Sequence, residues 1–139
     1  MIGVVYPLNL VAHQQDTFRD LERCTSQCQD FFLNLCVGYG ARSEIAQSCR
    51  RIAQRAVLGQ LEVDQIDEQT VADHLLTAGM ADPDLVLRTS GEIRLSNFLM
   101  FQLAYAEMIF VDKNWPALSK RDFDDVLQEF ARRQRRFGK

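Results

Sequence analysis

Short apolar runs alternate with helix-patterned segments along this chain, and that alternation leaves few architectures open. Residues 31–37 (Phe-Phe-Leu-Asn-Leu-Cys-Val), 84–88 (Asp-Leu-Val-Leu-Arg) and 107–111 (Glu-Met-Ile-Phe-Val) read as buried strands bounded by turn residues. Between and around them, apolar residues recur at helical spacing. Phe18, Leu21, Cys24 and Cys28 predict a helix over 16–29. Ile45, Cys49, Ile52, Ala53 and Ala56 predict the apolar face of a second helix, with Arg50, Arg51, Gln54 and Arg55 opposite and Gly59 at its end. Asp67 is an N-cap candidate for a short helix through Val71, Leu75 and Leu76, stopped near Gly79. Residues 97–104 read as another short helix. Ser119 opens the last one, with Asp122 at the capping-box position and Phe123, Val126, Leu127 and Phe130 as its buried stripe. Strands and helices in this order predict an α/β fold, a mostly parallel sheet flanked by helices.

Length and charge narrow the function classes. With 139 residues, 47% of them apolar, the chain is one domain's worth and can bury a core. No apolar run approaches the ~20 residues of a membrane span, and the Met1–Val5 start lacks a basic leader, so neither a transmembrane segment nor a secretory signal is expected. Net charge is −3, of which residues 132–139 contribute +5, leaving −8 for the rest. An acidic body argues against nucleic acid as a partner; the basic tail reads as a solvated helix end or an anion contact. Cys24, Cys28, Cys36 and Cys49 lack zinc-site spacing and read as small buried hydrophobes in a reducing compartment.

The segment after the second strand carries the chemistry. Arg88 ends that strand, Thr89-Ser90-Gly91 breaks it, and Glu92, Arg94, Ser96 and Asn97 follow. Ligands of parallel sheets sit beyond the carboxyl ends of strands. Forked guanidiniums, hydroxyls and free backbone N–H groups around a glycine turn suit a multiply charged oxyanion. The same residues also suit a surface loop in which Arg88 and Arg94 pair with Glu92 and Glu107, and spacing alone leaves both readings open. No Walker loop, dinucleotide fingerprint or nucleophile elbow is present.

Residues 83–99 (Pro-Asp-Leu-Val-Leu-Arg-Thr-Ser-Gly-Glu-Ile-Arg-Leu-Ser-Asn-Phe-Leu) strongly resemble the late signature of the cis-prenyltransferases, the undecaprenyl and dehydrodolichyl diphosphate synthases. The resemblance continues through Gln102, Ala104–Glu107, Phe110 and Trp115-Pro116 to Arg135-Arg136-Phe137-Gly138, which is similar to the family's C-terminal Arg-x-Gly motif. Upstream, residues 32–45 resemble the family's Leu-Asn…Asn-Tyr-Gly-Gly-Arg-x-Glu-Ile block, with Gly38 in place of Asn and Ala41 in place of the second Gly. Ile93 stands where the family often has Gln or His.

This resemblance implies the C-terminal portion of the cis-prenyltransferase fold, with 1–139 as a single partial domain. It implies polyprenyl diphosphate synthesis by cis-condensation of isopentenyl diphosphate onto an allylic diphosphate, with Mg²⁺ as cofactor. Arg88, Arg94 and Ser96 match residues that hold isopentenyl diphosphate. Glu107 matches a carboxylate near the Mg²⁺ site, which makes it the candidate catalytic and metal-binding residue, with a role as Arg94's partner the competing assignment. Arg136 and Gly138 match the tail that closes over the diphosphate, often from a neighbouring subunit. The family's Asp-Gly-Asn-x-Arg-Trp loop, whose Asp binds Mg²⁺, is not in this sequence. The chain alone is therefore expected to be inactive, as half of a transferase that works as a homodimer or with a heteromeric partner. The alternatives are a non-catalytic subunit of a heteromeric synthase and a stand-alone diphosphate-binding module. A cytoplasmic location follows from the resemblance, with peripheral contact to a membrane through the lipid product, at the endoplasmic reticulum in a eukaryote. Phe31, Leu33, Leu35 and Val37 alternate along their strand and read either as core packing or as a wall of the product tunnel.

Overall fold

Residues 2–5 and 12–133 are described by the structure, a computed structural model. The chain divides into two compact units, Met1–Ala78 and Gly79–Lys139. In the first, β1 (Ile2–Val5) pairs in parallel with β2 (Leu33–Cys36), joined through α1 (Ala12–Thr25). The next helix, α2 (Ala41–Val57), leads to a 3₁₀ turn at Val63–Gln65 and a short α3 (Glu68–Ala72). In the second unit, β3 (Leu85–Arg88) pairs in parallel with β4 (Glu107–Phe110), and α4 (Lys120–Arg132) closes the unit after a 3₁₀ turn at Trp115–Ala117. Every strand pair among the described residues is parallel, as an α/β pattern requires.

Both predicted caps form. The Asp67 carboxylate accepts from the Thr70 N–H at 2.7 Å, and Thr70 returns the contact to the Asp67 N–H, so α3 starts on a capping box. Ser119 and Asp122 do the same for α4. Gly59 ends α2 in the left-handed region, at φ +66°. Gly38 also lies there, at φ +61°. That conformation suits Gly or Asn, which explains how Gly can replace Asn at this turn. Ala41 is fully buried as the first residue of α2, a position that needs no glycine.

Other expectations are corrected. The buried line of α2 is Ala41, Glu44, Ser48 and Ile52, while Cys49 and Ala53 are exposed. Two polar residues can lie on that line because both are bonded. The Glu44 carboxylate accepts from the Tyr39 hydroxyl and from the Leu76 N–H, the latter at 2.8 Å, and the Ser48 hydroxyl donates to the Val71 carbonyl at 3.3 Å. The cysteines are not buried hydrophobes: Cys24, Cys28 and Cys49 are exposed and Cys36 is half-buried, all as free thiols. Helix α1 ends at Thr25, so Cys28 lies beyond it in a turn, its N–H donating to the Thr25 carbonyl at 2.9 Å. No helix forms over 97–104. Ser96, Asn97 and Leu99 all have positive φ, which an α-helix excludes. Leu99, Gln102 and Leu103 are nonetheless buried there.

The strands are shorter and less buried than expected. Residues of β3 are half-buried, and Phe31 and Leu33 are 85% and 54% exposed, so those two are not core. On α4 only Val126 is buried, while Phe123 and Leu127 are exposed. The helix rests on β4, and Phe123 instead meets Trp115 edge-on, ring centroids 6.0 Å apart.

Candidate functional site

The site grows out of the end of β3. In the β3–β4 ladder Arg88 stands opposite Phe110, and the chain then turns sharply. Ser90 and Gly91 both take φ +67°. The Ser90 N–H donates to the Lys113 carbonyl at 2.9 Å and the Gly91 N–H to the Val111 carbonyl at 3.0 Å. These bonds strap the turn to the segment after β4. They also correct one expectation, because the two N–H groups are committed to the backbone and are not free for an anion.

The side chains remain for that task. Arg88 donates from Nη2 toward the Ser96 hydroxyl at 3.4 Å, a long contact that leaves most of the guanidinium's donors for other acceptors. Arg94 forms an ion pair with Glu92 while its side chain stays 64% exposed. Arg88 and Arg94 both line a cleft of about 250 Å³, and Val86, Leu87, Leu95, Phe98 and Phe110 form the remainder of its lining. The cleft therefore joins a cationic part to an apolar wall. Leu95 is half-buried, whereas the neighbouring Ile93 is 76% exposed and does not line it.

Glu107 is not brought into this group. The ladder pairs it with Leu85, three residues before Arg88, or roughly 10 Å at ~3.3 Å per residue. Its partner is neither Arg94 nor Arg88. Arg133, the C-cap of α4, donates from Nη1 to Glu107 Oε2 at 3.0 Å and to the Met108 carbonyl at 2.9 Å. Its Nε donates to Glu129 at 3.2 Å. Glu107 first and Glu129 second hold the Arg133 pKa above its ordinary value. Arg136 and Gly138 lie outside the described residues.

Mg²⁺ is the remaining question of fit. Among the described residues no three His, Cys, Asp or Glu side chains converge, and Glu107 is already bonded to a guanidinium. The described residues do not form a divalent-cation site by themselves.

Sequence reasoning missed two features here. Glu44 was visible only as part of a motif, since hydropathy places a carboxylate outside a core. Arg133 was hidden within the basic tail, although its position at the end of α4 is where a cation is favoured.

Comparison with known proteins agrees with the fold. Residues 2–138 match the prenyltransferase family described as undecaprenyl diphosphate synthase. The tritrans,polycis-undecaprenyl-diphosphate synthase (geranylgeranyl-diphosphate specific) of Thermoplasma volcanium is 44% identical over 130 residues, covering 94% of this chain and 50% of that protein. An isoprenyl transferase of Listeria monocytogenes is 42% identical over 136 residues, covering 96% of this chain and 53% of that one. Lavandulyl diphosphate synthase from Lavandula x intermedia, solved with dimethylallyl diphosphate, superposes with a TM-score of 0.92 at 34% identity, over 99% of this chain and 61% of that structure. The chain belongs to the undecaprenyl diphosphate synthase family of cis-prenyltransferases. It spans about half the length of the relatives it matches.

Proposed function

We propose that this chain supplies the isopentenyl diphosphate side of a cis-prenyltransferase, the enzyme class that builds polyprenyl diphosphates from isopentenyl and allylic diphosphates. The carrying observation is the cleft beside β3, with Arg88 and Arg94 next to a wall of Leu95, Phe98 and Phe110. Its volume of about 250 Å³ falls below the ~300–1,000 Å³ of drug-sized sites, which favours a small amphiphile over a long chain.

In this reading the guanidinium forks and the Ser96 hydroxyl hold the diphosphate, and the apolar wall takes the five-carbon group. The exposed Arg94–Glu92 pair is no obstacle. Such surface pairs contribute about 0–1 kcal/mol, less than a charge-assisted bond to phosphate. Oriented donors keep the nucleophilic alkene in place while charge develops on the departing allylic diphosphate. The resemblance extends the proposal to Mg²⁺, to an allylic substrate and to a homodimer or heteromeric partner. Mg²⁺ belongs in that reading to the complete two-substrate centre, because the described residues here form no divalent-cation site by themselves. Among the described residues no helix is long and apolar enough to cross a membrane. We place the protein in the cytoplasm, meeting a membrane surface through its lipid product.

Calorimetric titration with isopentenyl diphosphate tests the reading. Binding is expected to weaken by about 1.5–3 kcal/mol, roughly 10- to 150-fold, in Arg88→Ala. Inorganic pyrophosphate, which cannot use the apolar wall, is expected to bind more weakly than isopentenyl diphosphate. Absence of binding by the unaltered chain overturns the assignment. Turnover is a separate matter: the chain alone is expected not to incorporate labelled isopentenyl diphosphate with Mg²⁺ and an allylic diphosphate present, and detectable product would refute that.

A further inference from the structure

Four side chains of α2 hold the stretch that ends α3 and follows it. Glu44, Ser48, Arg51 and Arg55 succeed one another at spacings of four, three and four, so they share one face of the helix. The Glu44 carboxylate accepts from the Leu76 N–H, and the Ser48 hydroxyl donates to the Val71 carbonyl. Arg51 Nη1 donates to the His74 carbonyl at 3.2 Å. Those three bonds reach backbone groups. The fourth runs from Arg55 Nη1 to the His74 ring, 3.2 Å from Nε2. The other ring nitrogen, Nδ1, lies 2.7 Å from the Thr70 carbonyl. A carbonyl oxygen only accepts and a guanidinium only donates. Nδ1 therefore carries the ring proton and Nε2 is bare, so both bonds exist together only for the neutral ring in this one tautomer.

We propose that His74 is a proton-operated clip between α2 and the last residues of the first compact unit, closed by the neutral ring and opened when Nε2 takes up a proton. A protonated ring has no lone pair for Arg55, and it presents an N–H to a guanidinium, two cations at hydrogen-bond distance. The charged groups around the ring do not offset this. From α2 come Arg51 and Arg55, both cationic, and Glu44, whose carboxylate is taken by the Tyr39 hydroxyl and the Leu76 N–H. On the ring's own side Asp67 is committed to Thr70, and Asp73 accepts from Gln69 Nε2 at 2.8 Å. Glu62, Asp64 and Glu68 make no bond to the ring. Opening removes one link of four and leaves the three to the backbone. The response is thus a local loosening of residues 74–78, where the first unit ends, rather than its unfolding. Histidine ordinarily changes charge between pH 5 and 8, which sets the range in which the clip works. It requires no ligand and does not depend on the diphosphate reading.

Amide hydrogen exchange of the full chain from about pH 8 to about pH 5 tests the clip, with each rate referred to that of an unstructured peptide at the same pH. The probes are the N–H groups of Leu75, Leu76 and Ala78, which donate to the Ala72 carbonyl, Glu44 and the Leu75 carbonyl. Their protection is expected to fall roughly 3- to 10-fold on acidification, the loss of about one hydrogen bond. His74→Gln supplies an amide oxygen that does not titrate and should hold protection constant across the range. Arg55→Met should show the lower protection at both ends, again without a step. Every variant keeps His13, so a step that persists in His74→Gln belongs elsewhere and overturns the clip. A flat profile in the unaltered chain overturns it as well. Nitrogen NMR of the ring decides without any variant: near pH 8 the proton is expected on Nδ1, and a ring protonated on Nε2 instead would refute the arrangement.

Discussion

Replacing Gly91 with Ala separates two costs that usually arrive together. Gly91 sits in the turn after β3 at φ +67°, where an L-residue is disfavoured by about 1–2 kcal/mol. A Cβ there would also stand 3.3 Å from Asp112 Oδ1, closer than comfortable contact. Gly79, in the same compact unit at φ +79°, has nothing within 4 Å of its would-be Cβ. Gly79→Ala thus carries the backbone cost alone. Both replacements gain about 0.4–1 kcal/mol from a stiffer unfolded chain, which cancels in the comparison. The expected net losses are therefore about 1 kcal/mol for Gly79→Ala and roughly 0.5 kcal/mol more for Gly91→Ala. The extra is small because the encroaching atom ends a short side chain that can swing aside. Urea unfolding followed by the single tryptophan, Trp115, reports on this unit. Adding Asp112→Ala to Gly91→Ala should erase the excess. If Gly79→Ala costs as much as Gly91→Ala, the contact with Asp112 has no energetic weight and the reasoning fails.

Further outcomes are expected from capping and burial. The Lys113 ammonium and then the Ser119 hydroxyl and N–H hold the Asp122 carboxyl well below the usual carboxylate range. Because the folded pKa is depressed, the stability it contributes is complete above the ordinary Asp value of about 4 and is lost as pH falls further. Acid unfolding monitored at Trp115 should be less steep in Asp122→Asn; an unchanged acid limb would contradict this. Ser119→Ala should cost about 1 kcal/mol in the same assay through loss of the cap, and no loss would count against the capping box. Glu44→Ala removes the acceptor used by Tyr39 and the Leu76 N–H, and should destabilise by about 1–3 kcal/mol by circular dichroism; a neutral result would sink the buried role of Glu44. Burial, and then the charge of Glu44, push the Cys36 thiol up. Thiol reagents at neutral pH should therefore modify Cys24, Cys28 and Cys49 before Cys36, and an equal rate for all four would refute that order.

The parts legible in the sequence were those decided over a few neighbouring residues. The capping boxes at Asp67 and Ser119 are complete within four positions, so nothing distant can cancel them. The three runs read as strands likewise became β2, β3 and β4. The misread parts depended on partners far along the chain. Glu44 looks solvated until the Leu76 N–H arrives from 32 residues away, and its burial rotates the inward face of α2 off Cys49. Glu107 offers no hint of Arg133, 26 residues on, so a choice framed between Mg²⁺ and Arg94 omitted the partner it has. The segment 97–104 has helix-like spacing, yet three non-glycine residues at 96, 97 and 99 take left-handed backbone that no propensity scale anticipates. Among the site residues, Arg88, Arg94 and Ser96 fall in one neighbourhood, because the loop that carries Arg94 and Ser96 starts directly after Arg88 at the end of β3.

That loop is also the only covalent link between β3 and β4. Parallel strands cannot be joined by a tight turn; the connection must travel back the length of the ladder before the second strand begins. Here the return path is residues 89–106, and Arg94, Ser96 and Phe98 are stations along it. Closing the ladder and gathering the cleft are consequently one event in folding, with a single loop-closure cost. Shortening the loop would leave too little chain for the strands to meet. Lengthening it would change the spacing of the cleft's residues while the ladder stayed intact, so variation in the length of this segment is a lever on ligand size that leaves the sheet unaltered.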